Sequence, residues 1–414
     1  MLDDKKTVFK LPQSTISLAD VYAAEEELQT VLRKTELIPS TCFSREYGNH
    51  VFIKPENLQV TGAFKIRGAY HKISRLSAEE KSRGVIASSA GNHAQGVSYA
   101  AQLLGVEATV VMPATTPLIK VEATKNYGAS VVLHGDSYDD AYARARELEA
   151  ERDHVFVHPF DDLDTIIGQA TLALEIIQEL NSVDEILVPV GGGGLISGVA
   201  FAAKMLKPDI KIIGVEPEGA ACVHQSLQRN KVVSLGKVDT MADGTAVKTP
   251  GKLTFEFVKE FVDEVVTVSD FDVIESILLL MDKHKLIVEG AGALSLAGLR
   301  KRESQGKNVV CLVSGGNIDI STISAIISRA LVSRGRLFCF TVNLPDKPGE
   351  LVNVAQTLAG LRANVIKLDH NQSKVMDRFK QVQLEVTVET NGPLHVAEIE
   401  RAFAQQGVEI NKVY

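Results

Sequence analysis

Cysteine is scarce in this 414-residue chain, and long apolar runs are missing altogether. The four cysteines, Cys42, Cys222, Cys311 and Cys339, form no C-x-x-C pair, so their spacing indicates neither a zinc ribbon nor a disulfide framework. We expect reduced and mostly buried thiols. No apolar stretch approaches the roughly 20 residues that a membrane-spanning helix needs, and the opening MLDDKKTVFK has no apolar signal core. We therefore expect a cytoplasmic protein with no membrane partner.

Positive charge is not in excess either. The 44 Lys and Arg residues are outnumbered by 52 Asp and Glu residues, which gives a net charge of -8. This balance argues against nucleic acid or an anionic membrane as the main partner, because both carry negative charge. We expect small-molecule ligands.

The sequence does have enough length for two or three domains, and its 45% hydrophobic residues can bury a large core. Short apolar runs alternate with helical patterns, and the runs predict strands at residues 85–87, 108–112, 131–133, 186–190, 210–215 and 309–313. This alternation is typical of doubly wound α/β layers. Ligands in such folds lie beyond the carboxyl ends of strands, so the residues that follow each strand are the functional candidates.

The pattern changes after about residue 330. A plausible linker at 331–336 precedes predicted strands at 337–344, 364–369, 381–388 and 408–413 and predicted helices at 350–361 and 393–405. The order β-α-β-β-α-β predicts a ferredoxin-like α+β module over 337–414.

A run of four glycines, Gly191, Gly192, Gly193 and Gly194, lies between a predicted strand and a predicted helix. Consecutive backbone N–H groups at a helix N-terminus form a phosphate cradle. The Lys-Ser or Lys-Thr pair of a P-loop is missing. A dinucleotide site is a less favoured alternative: Glu216 follows the next strand, but Ser197 stands where the third glycine of that fingerprint belongs.

Two further loops also follow predicted strands. Ser89-Ala90-Gly91-Asn92-His93 opens a helix and suits a carboxylate, although Ser89 could be only an N-cap and His93 a satisfied core histidine. Ser314 begins Ser-Gly-Gly-Asn, where its hydroxyl could reach a ring nitrogen; the alternative is a strand-ending turn.

Lys65 lies between Phe64 and Ile66 in the stretch TGAFKIRG. A lysine in apolar surroundings loses its proton more easily and forms imines with carbonyl groups, so we hypothesise that Lys65 holds pyridoxal phosphate as a Schiff base. By itself it would more often be a structural lysine. Three strand-following loops that share one crevice with it favour the functional interpretation.

These four motifs, in this order, resemble the fold type II pyridoxal-phosphate enzymes (the tryptophan synthase β-like fold), and among them the threonine dehydratase, or threonine ammonia-lyase, family. The C-terminal module is similar to ACT-type regulatory domains, most visibly in the turn DKPGEL at 346–351. The resemblance implies a catalytic domain at 1–330, with a small lobe at about 55–155 nested in a large lobe, a linker at 331–336 and a regulatory domain at 337–414.

The resemblance also implies roles for individual residues. Lys65 would bind the cofactor, Phe64 would pack beside its ring, Asn92 would contact its phenolic oxygen and Ser314 its pyridine nitrogen. The phosphate would lie on Gly191, Gly192, Gly193, Gly194 and Leu195. The substrate carboxylate would be held by Ser89, Gly91, Asn92 and His93.

The implied reaction is the elimination and deamination of L-threonine to 2-oxobutanoate and ammonia, with L-serine as a second substrate. Related serine racemases carry a serine where this chain has Ala90, which favours elimination over racemisation. Related cysteine synthases carry threonine at the position of His93. An acid that helps some relatives bind a divalent cation is replaced by Cys222, so any cation near Glu216 and Ala220 is left open.

Several alternatives stay open. A serine-preferring or 3-hydroxyaspartate dehydratase would differ only in pocket contacts, and a non-catalytic pyridoxal or amino-acid sensor is a further alternative. From the C-terminal module we expect a homo-oligomer, a tetramer, with an amino-acid effector. Isoleucine inhibition would place the enzyme in isoleucine biosynthesis, indifference to it would indicate a catabolic role, and the module could also serve only to join subunits.

Overall fold

The computed structural model describes residues 8–10, 15–371 and 381–414, and it divides into a first unit, Met1–Ile318, and a second unit, Asp319–Tyr414. The division lies before the predicted boundary at 330, because a helix at Ile320–Ser333 groups with the second unit and extends into the predicted linker. Parts of the predicted domains, at 1–7, 11–14 and 372–380, lie outside the described residues.

The described part of the first unit contains two mainly parallel sheets and a short antiparallel pair of strands. Its strands are β1 (Val8–Lys10), β2 (Thr15–Ser17), β3 (Ile38–Pro39), β4 (His50–Pro55), β5 (Val85–Ser88), β6 (Ala108–Met112), β7 (Ser130–Leu133), β8 (Val155–Phe156), β9 (Glu185–Pro189), β10 (Lys211–Pro217), β11 (Glu264–Val268) and β12 (Asn308–Val313). The larger sheet has the order β11-β10-β9-β12-β4-β3 and is parallel except at β3, and the smaller has the order β7-β6-β5-β8. All of the smaller sheet falls between β4 and β9 along the chain.

The helices of this unit alternate with the strands. They are α1 (Leu18–Leu28), α2 (Thr41–Tyr47), α3 (Lys65–Ser74), α4 (Ala78–Arg83), α5 (Asn92–Leu104), α6 (Leu118–Asn126), α7 (Tyr138–Arg152), α8 (Leu163–Glu179), α9 (Gly194–Leu206), α10 (Cys222–Gln228), α11 (Lys252–Phe261), α12 (Asp270–Leu279) and α13 (Gly290–Leu299). Every residue of β5, β6 and β9 is buried, as expected for parallel strands covered by helices on both faces. The predicted doubly wound α/β class is confirmed.

One charged cluster lies inside this apolar core, beneath α3. The guanidinium of Arg67 donates to both carboxylate oxygens of Glu56, at 2.8 and 2.9 Å, and to both of Glu175, at 2.6 and 3.1 Å. Lys54 Nζ lies 2.7 Å from Glu175 Oε2. Lys54, Glu56 and Arg67 have no exposed surface. The cluster therefore ties α3 to the end of β4 and to α8.

The second unit begins with α14 (Ile320–Ser333) and continues with β13 (Leu337–Pro345), α15 (Glu350–Gly360), β14 (Asn364–Asn371), β15 (Gln381–Glu389), α16 (Pro393–Gln405) and β16 (Ile410–Lys412). From β13 onward the elements follow the predicted β-α-β-β-α-β order, and the antiparallel sheet has the order β14-β15-β13-β16. Its core contains Phe340 and Phe403, whose ring centroids are 5.4 Å apart. Across the described part of both units, no helix is long and apolar enough to cross a bilayer.

Candidate active site

The loop that carries Lys65 is bound along the loop that follows β12. Ala63 and Gly315 form an isolated antiparallel bridge, Phe64 N donates to Ser314 O at 3.1 Å, and Gly316 N donates to Gly62 O at 2.9 Å. Two motifs that lie 250 positions apart, from Lys65 to Gly315, are thereby held side by side. Lys65 is the first residue of α3, so its backbone position is fixed by both the loop and the helix.

The Lys65 side chain is half-buried, and its Nζ donates to the carbonyl oxygen of Pro159 at 2.8 Å. Its Nζ also lies 5.2 Å from the centre of the Phe64 ring. Desolvation by burial lowers the pKa of Lys65 to about 8, with Glu289 opposing the shift. About a tenth of the amine is therefore neutral at pH 7, far more than for an ordinary lysine. Only a neutral amine can attack a carbonyl carbon or accept a proton.

Asn92 connects the first turn of α5 to Glu289, the residue that precedes α13. Asn92 Nδ2 donates to Glu289 Oε1 at 2.6 Å, while Asn92 Oδ1 accepts from Asn317 Nδ2 at 2.7 Å. The same Asn317 amide donates to Thr61 O at 2.8 Å. Burial raises the pKa of Glu289 to about 7. Three loops, those with Thr61, Asn92 and Asn317, thus meet beside a carboxyl group that titrates near neutrality.

Glu289 is not among the residues predicted from the sequence, although the small residues that follow it indicate a close approach of two segments. It precedes the small-residue run Gly290-Ala291-Gly292-Ala293, which opens α13. The small residues permit close approach, since a Cβ at Gly292 would lie 2.2 Å from Gly315 O. Glu289 N in turn donates to Gly315 O at 3.2 Å, which binds the start of α13 to the loop after β12.

The four glycines form a tight cradle between β9 and α9. Gly193 has φ of 98°, which favours glycine. A Cβ at Gly192 would lie 2.4 Å from the ring of Phe160, and a Cβ at Gly194 would lie 2.8 Å from Phe160 Cα. A Cβ at Gly191 would lie 3.0 Å from the Cα of Thr245. Only glycine therefore fits this close packing, and the first N–H groups of α9 have no intrahelical acceptor. A phosphate group fits such a helix N-terminus.

Comparison of the sequence with models of known protein families identifies the family of this chain. A family model described as "Pyridoxal-phosphate dependent enzyme" matches residues 28–315. The chain belongs to this family. Membership confirms the predicted cofactor, pyridoxal phosphate, for which Lys65 and the glycine cradle provide fitting groups.

Individual relatives agree with the family match. The chain is 45% identical over 399 residues to the L-threonine ammonia-lyase of Thermotoga maritima, covering 96% of this chain and 100% of that protein. The processed form of threonine deaminase isoform 2 from Solanum lycopersicum is 40% identical with a TM-score of 0.73, covering 76% of this chain and 92% of that one. Maize serine racemase is 34% identical with a TM-score of 0.72, covering 76% and 98%. The predicted resemblance to threonine dehydratases is confirmed.

The first turn of α5 supplies the candidate carboxylate site of this pyridoxal-phosphate enzyme. Gly91 N donates to Ser89 Oγ at 3.2 Å, and the first backbone hydrogen bond of the helix is from Gln95 N to Gly91 O. The N–H groups of Asn92 and His93 lie in the first turn of the helix, where they have no intrahelical acceptor. They are therefore free to bind an anion.

The imidazole of His93 bonds a backbone carbonyl group and not the candidate carboxylate site. It is buried, its Nε2 lies 2.8 Å from Val157 O, and burial lowers its pKa to about 3. A neutral ring beside a carbonyl oxygen must donate from Nε2, which leaves Nδ1 as an acceptor. In this position the ring cannot donate to a carboxylate, so the backbone N–H of His93 is the group that remains available.

Ser314 directly follows β12 in a buried position, and its Oγ donates to Ala291 O at 3.3 Å. The hydroxyl group therefore lies between the loop after β12 and the start of α13. A distance of 3.3 Å indicates a weak hydrogen bond to Ala291 O, so the hydroxyl can instead donate to a ring nitrogen. The contact of Ser314 with the cofactor ring stays a prediction.

Glu216 caps the first turn of α10. Its buried carboxylate accepts from Val223 N at 2.9 Å and His224 N at 2.7 Å, so it satisfies the first turn of α10. Burial raises its pKa to about 7. Among the residues described, no group of three or more His, Cys, Asp or Glu side chains could hold a metal ion.

Proposed function

We propose that this enzyme is an L-threonine ammonia-lyase that converts L-threonine to 2-oxobutanoate and ammonia and, as a second activity, L-serine to pyruvate. The observation that carries the proposal is Lys65, an amine of lowered pKa whose loop is bridged to the loop after Ser314. Its Nζ donates to Pro159 O, and the next residue, Phe160, packs against the glycine cradle. The full-length similarity to a protein named L-threonine ammonia-lyase supports the choice of substrate.

We assign the cofactor and the substrate to two groups of residues that share Asn92. The cofactor contacts are Phe64, Lys65, Asn92, Gly191, Gly192, Gly193, Gly194, Leu195 and Ser314. The substrate carboxylate contacts are Ser89, Gly91, Asn92 and His93, the last through its backbone. Pyridoxal phosphate, when bound, takes up the electron pair that remains as the α-proton leaves.

Lys65 performs the proton transfer. Its neutral Nζ accepts the α-proton, and the Pro159 carbonyl, 2.8 Å from Nζ in the structure, orients it. Loss of the β-hydroxyl group and hydrolysis of the resulting enamine yield the 2-oxo acid and ammonia. Binding of the substrate carboxylate at the first turn of α5 fixes the face of the amino acid that Lys65 meets.

The experiment is a visible absorption spectrum of the purified enzyme before and after L-threonine is added. We expect a cofactor band that shifts transiently and recovers as 2-oxobutanoate accumulates. A stable band unchanged by L-threonine would redirect the proposal to a serine-preferring or 3-hydroxyaspartate dehydratase, or to a sensor. No band, even after pyridoxal phosphate is added, would overturn it.

Racemisation is the second candidate, because maize serine racemase has nearly the same TM-score as the threonine deaminase structure. Ala90 favours the lyase, since a methyl group can neither donate nor accept a proton. Chiral chromatography after incubation with L-serine separates the two: the lyase makes pyruvate, whereas a racemase makes D-serine. An Ala90→Ser variant that gains D-serine formation would support the role given to this position.

We further propose a homo-oligomer, a tetramer, regulated by an amino acid at the ACT-type second unit. Support comes from β14, an edge strand whose Ile366 is 54% exposed, and from α15, whose Val352 is 53% exposed. Exposed apolar residues beside a sheet edge favour subunit contacts. Light scattering gives the oligomeric state, and activity curves with isoleucine or valine test feedback; unchanged curves with every branched-chain amino acid would exclude it.

We also propose a cytoplasmic location. All four cysteines are free thiols in the structure, as reducing conditions require. Cell fractionation followed by immunodetection would test this location directly.

A further inference from the structure

A second cluster of reactive side chains lies in the first unit, at the start of α2. Ser40 and Cys42 meet His284, which ends a π-helical turn at Leu280–His284. Cys42 Sγ is 3.4 Å from His284 Nε2 and 3.3 Å from Ser40 Oγ, and Ser40 Oγ is 2.8 Å from the same Nε2. None of these residues belongs to the site assigned above.

The cluster holds the imidazole in one place. The ring of Phe43 lies 5.1 Å from that of His284, with 37° between the planes. Ser40 Oγ accepts the backbone N–H of Phe43 at 3.3 Å, which leaves its own proton free to donate to Nε2. Burial lowers the pKa of His284, so the ring is neutral at neutral pH and can act as a base. The neighbouring charges, Asp282 and Lys283, pair with each other at 2.8 Å.

Cys42 differs from the other three cysteines in surroundings. Its side chain is partly exposed, whereas Cys222, Cys311 and Cys339 are buried. Burial raises the pKa of both the Cys222 and the Cys311 thiol, which makes these groups unreactive at neutral pH. The chain thus carries internal controls for thiol reactivity.

We propose that Cys42 is a modification site, a nucleophilic thiol activated by His284 and oxidised by hydroperoxides. The thiol proton passes to Ser40 Oγ as the Ser40 hydroxyl proton passes to His284 Nε2, the sulfur attacks the terminal peroxide oxygen, and the O–O bond breaks. The leaving oxygen takes up the proton and departs as water or an alcohol. Cys42 becomes a sulfenic acid while the peroxide is reduced by two electrons.

The site is connected to the candidate active site through the chain. His284 and Glu289 bound a short segment, and Ile287 O within it accepts from Asn57 Nδ2 at 3.0 Å. Through this connection, oxidation of Cys42 can affect the position of Glu289. The proposal itself concerns the reactivity of the thiol.

The first experiment treats the native holoenzyme with limiting hydrogen peroxide and traps sulfenic acid with dimedone, followed by peptide mass spectrometry. We expect the adduct at Cys42 in clear excess over Cys222, Cys311 and Cys339. No adduct, or one distributed among the cysteines without preference, would overturn the proposal.

The second experiment measures the rate of Cys42 alkylation by iodoacetamide as a function of pH. In His284→Asn we expect a rate at pH 7 that is lower by about tenfold or more, as for loss of a general base. His134→Asn, at an exposed histidine of another lobe, should match the wild type. Equal profiles for the wild type and His284→Asn would refute activation by the histidine.

A measurement on the wild type alone covers the case in which His284→Asn does not fold. Activation by His284 predicts alkylation of Cys42 that persists well below the ordinary thiol pKa of about 8.5. A wild-type rate that merely follows an ordinary thiol titration would contradict the proposal.

Discussion

Asn92 and Glu289 share a 2.6 Å hydrogen bond that joins the helix after β5, in the smaller sheet, to the helix α13, which packs on the larger one. Asn92 Oδ1 is held at the same time by Asn317. The amide orientation is thereby fixed: its nitrogen faces the carboxyl group and its oxygen faces Asn317. A group proposed to contact the cofactor is positioned by a carboxyl that titrates within the working pH range.

Glu289→Gln should change how stability depends on pH. Because the folded-state pKa of Glu289 is raised to about 7, its contribution to stability is complete below the ordinary carboxyl pKa and is lost as pH rises through about 7. The amide stays neutral and still accepts from Asn92. We therefore expect thermal midpoints of the cofactor-free protein to favour the variant increasingly from pH 5 to pH 7 and to level off above that. A constant difference between the two proteins across that range would contradict this.

Lys65→Ala should abolish turnover and remove the cofactor band, because Lys65 is the amine assigned to bond the cofactor. In the wild-type apoprotein, the rate of recombination with pyridoxal phosphate should rise with pH through about 8, where Lys65 loses its proton. Lys34→Ala, at an exposed lysine paired with Glu36, is the control and should leave both properties unchanged. A Lys65→Ala protein that retained turnover would refute the assigned role.

Substitutions in the glycine cradle should weaken cofactor binding according to what each added methyl group meets. At Gly192 the obstacle is the ring of Phe160, whereas at Gly194 it is Phe160 Cα and Cβ. We expect Gly192→Ala and Gly194→Ala each to raise the Kd for pyridoxal phosphate by about tenfold or more, equivalent to about 1.4 kcal/mol. Gly236→Ala meets nothing within 4 Å and should bind normally.

A double-mutant cycle with Phe160→Ala separates the two glycines. Removing the ring should relieve most of the Gly192→Ala defect but little of the Gly194→Ala defect, since the Phe160 backbone remains. Titration of the apoproteins with pyridoxal phosphate measures both. Equal rescue of both variants would show that the contacts with Phe160 do not determine binding.

The sequence predicted what local patterns determine and missed what depends on distant contacts. Apolar runs located β5, β6 and β12, and glycines marked the loops that follow strands. Phe160 could not be found, because its contact with the cradle joins residues far apart in sequence. For the same reason, the local sequence could not predict the hydrogen bond between His93 Nε2 and Val157 O. This bond leaves only the backbone N–H of His93 for the predicted carboxylate contact.

Arg67→Ala should destabilise the enzyme strongly, because it leaves Glu56 buried without its cation. Removing one partner of a buried pair costs about 3–5 kcal/mol, and Arg67 bonds both oxygens of Glu56 as well as Glu175. Arg67→Lys keeps the charge but loses the paired donors, so its stability should be intermediate.

The control is Arg83→Ala. Arg83 pairs with Asp153, whose side chain is 77% exposed, so the loss should be about 0–1 kcal/mol. Urea denaturation of the cofactor-free proteins measures all three variants. Because α3 begins at Lys65, the Arg67→Ala apoprotein should also recombine more slowly with pyridoxal phosphate. This should be seen at a urea concentration far below the unfolding midpoint of that variant. A variant as stable as Arg83→Ala would show that the buried charges at Glu56 and Glu175 are satisfied without Arg67.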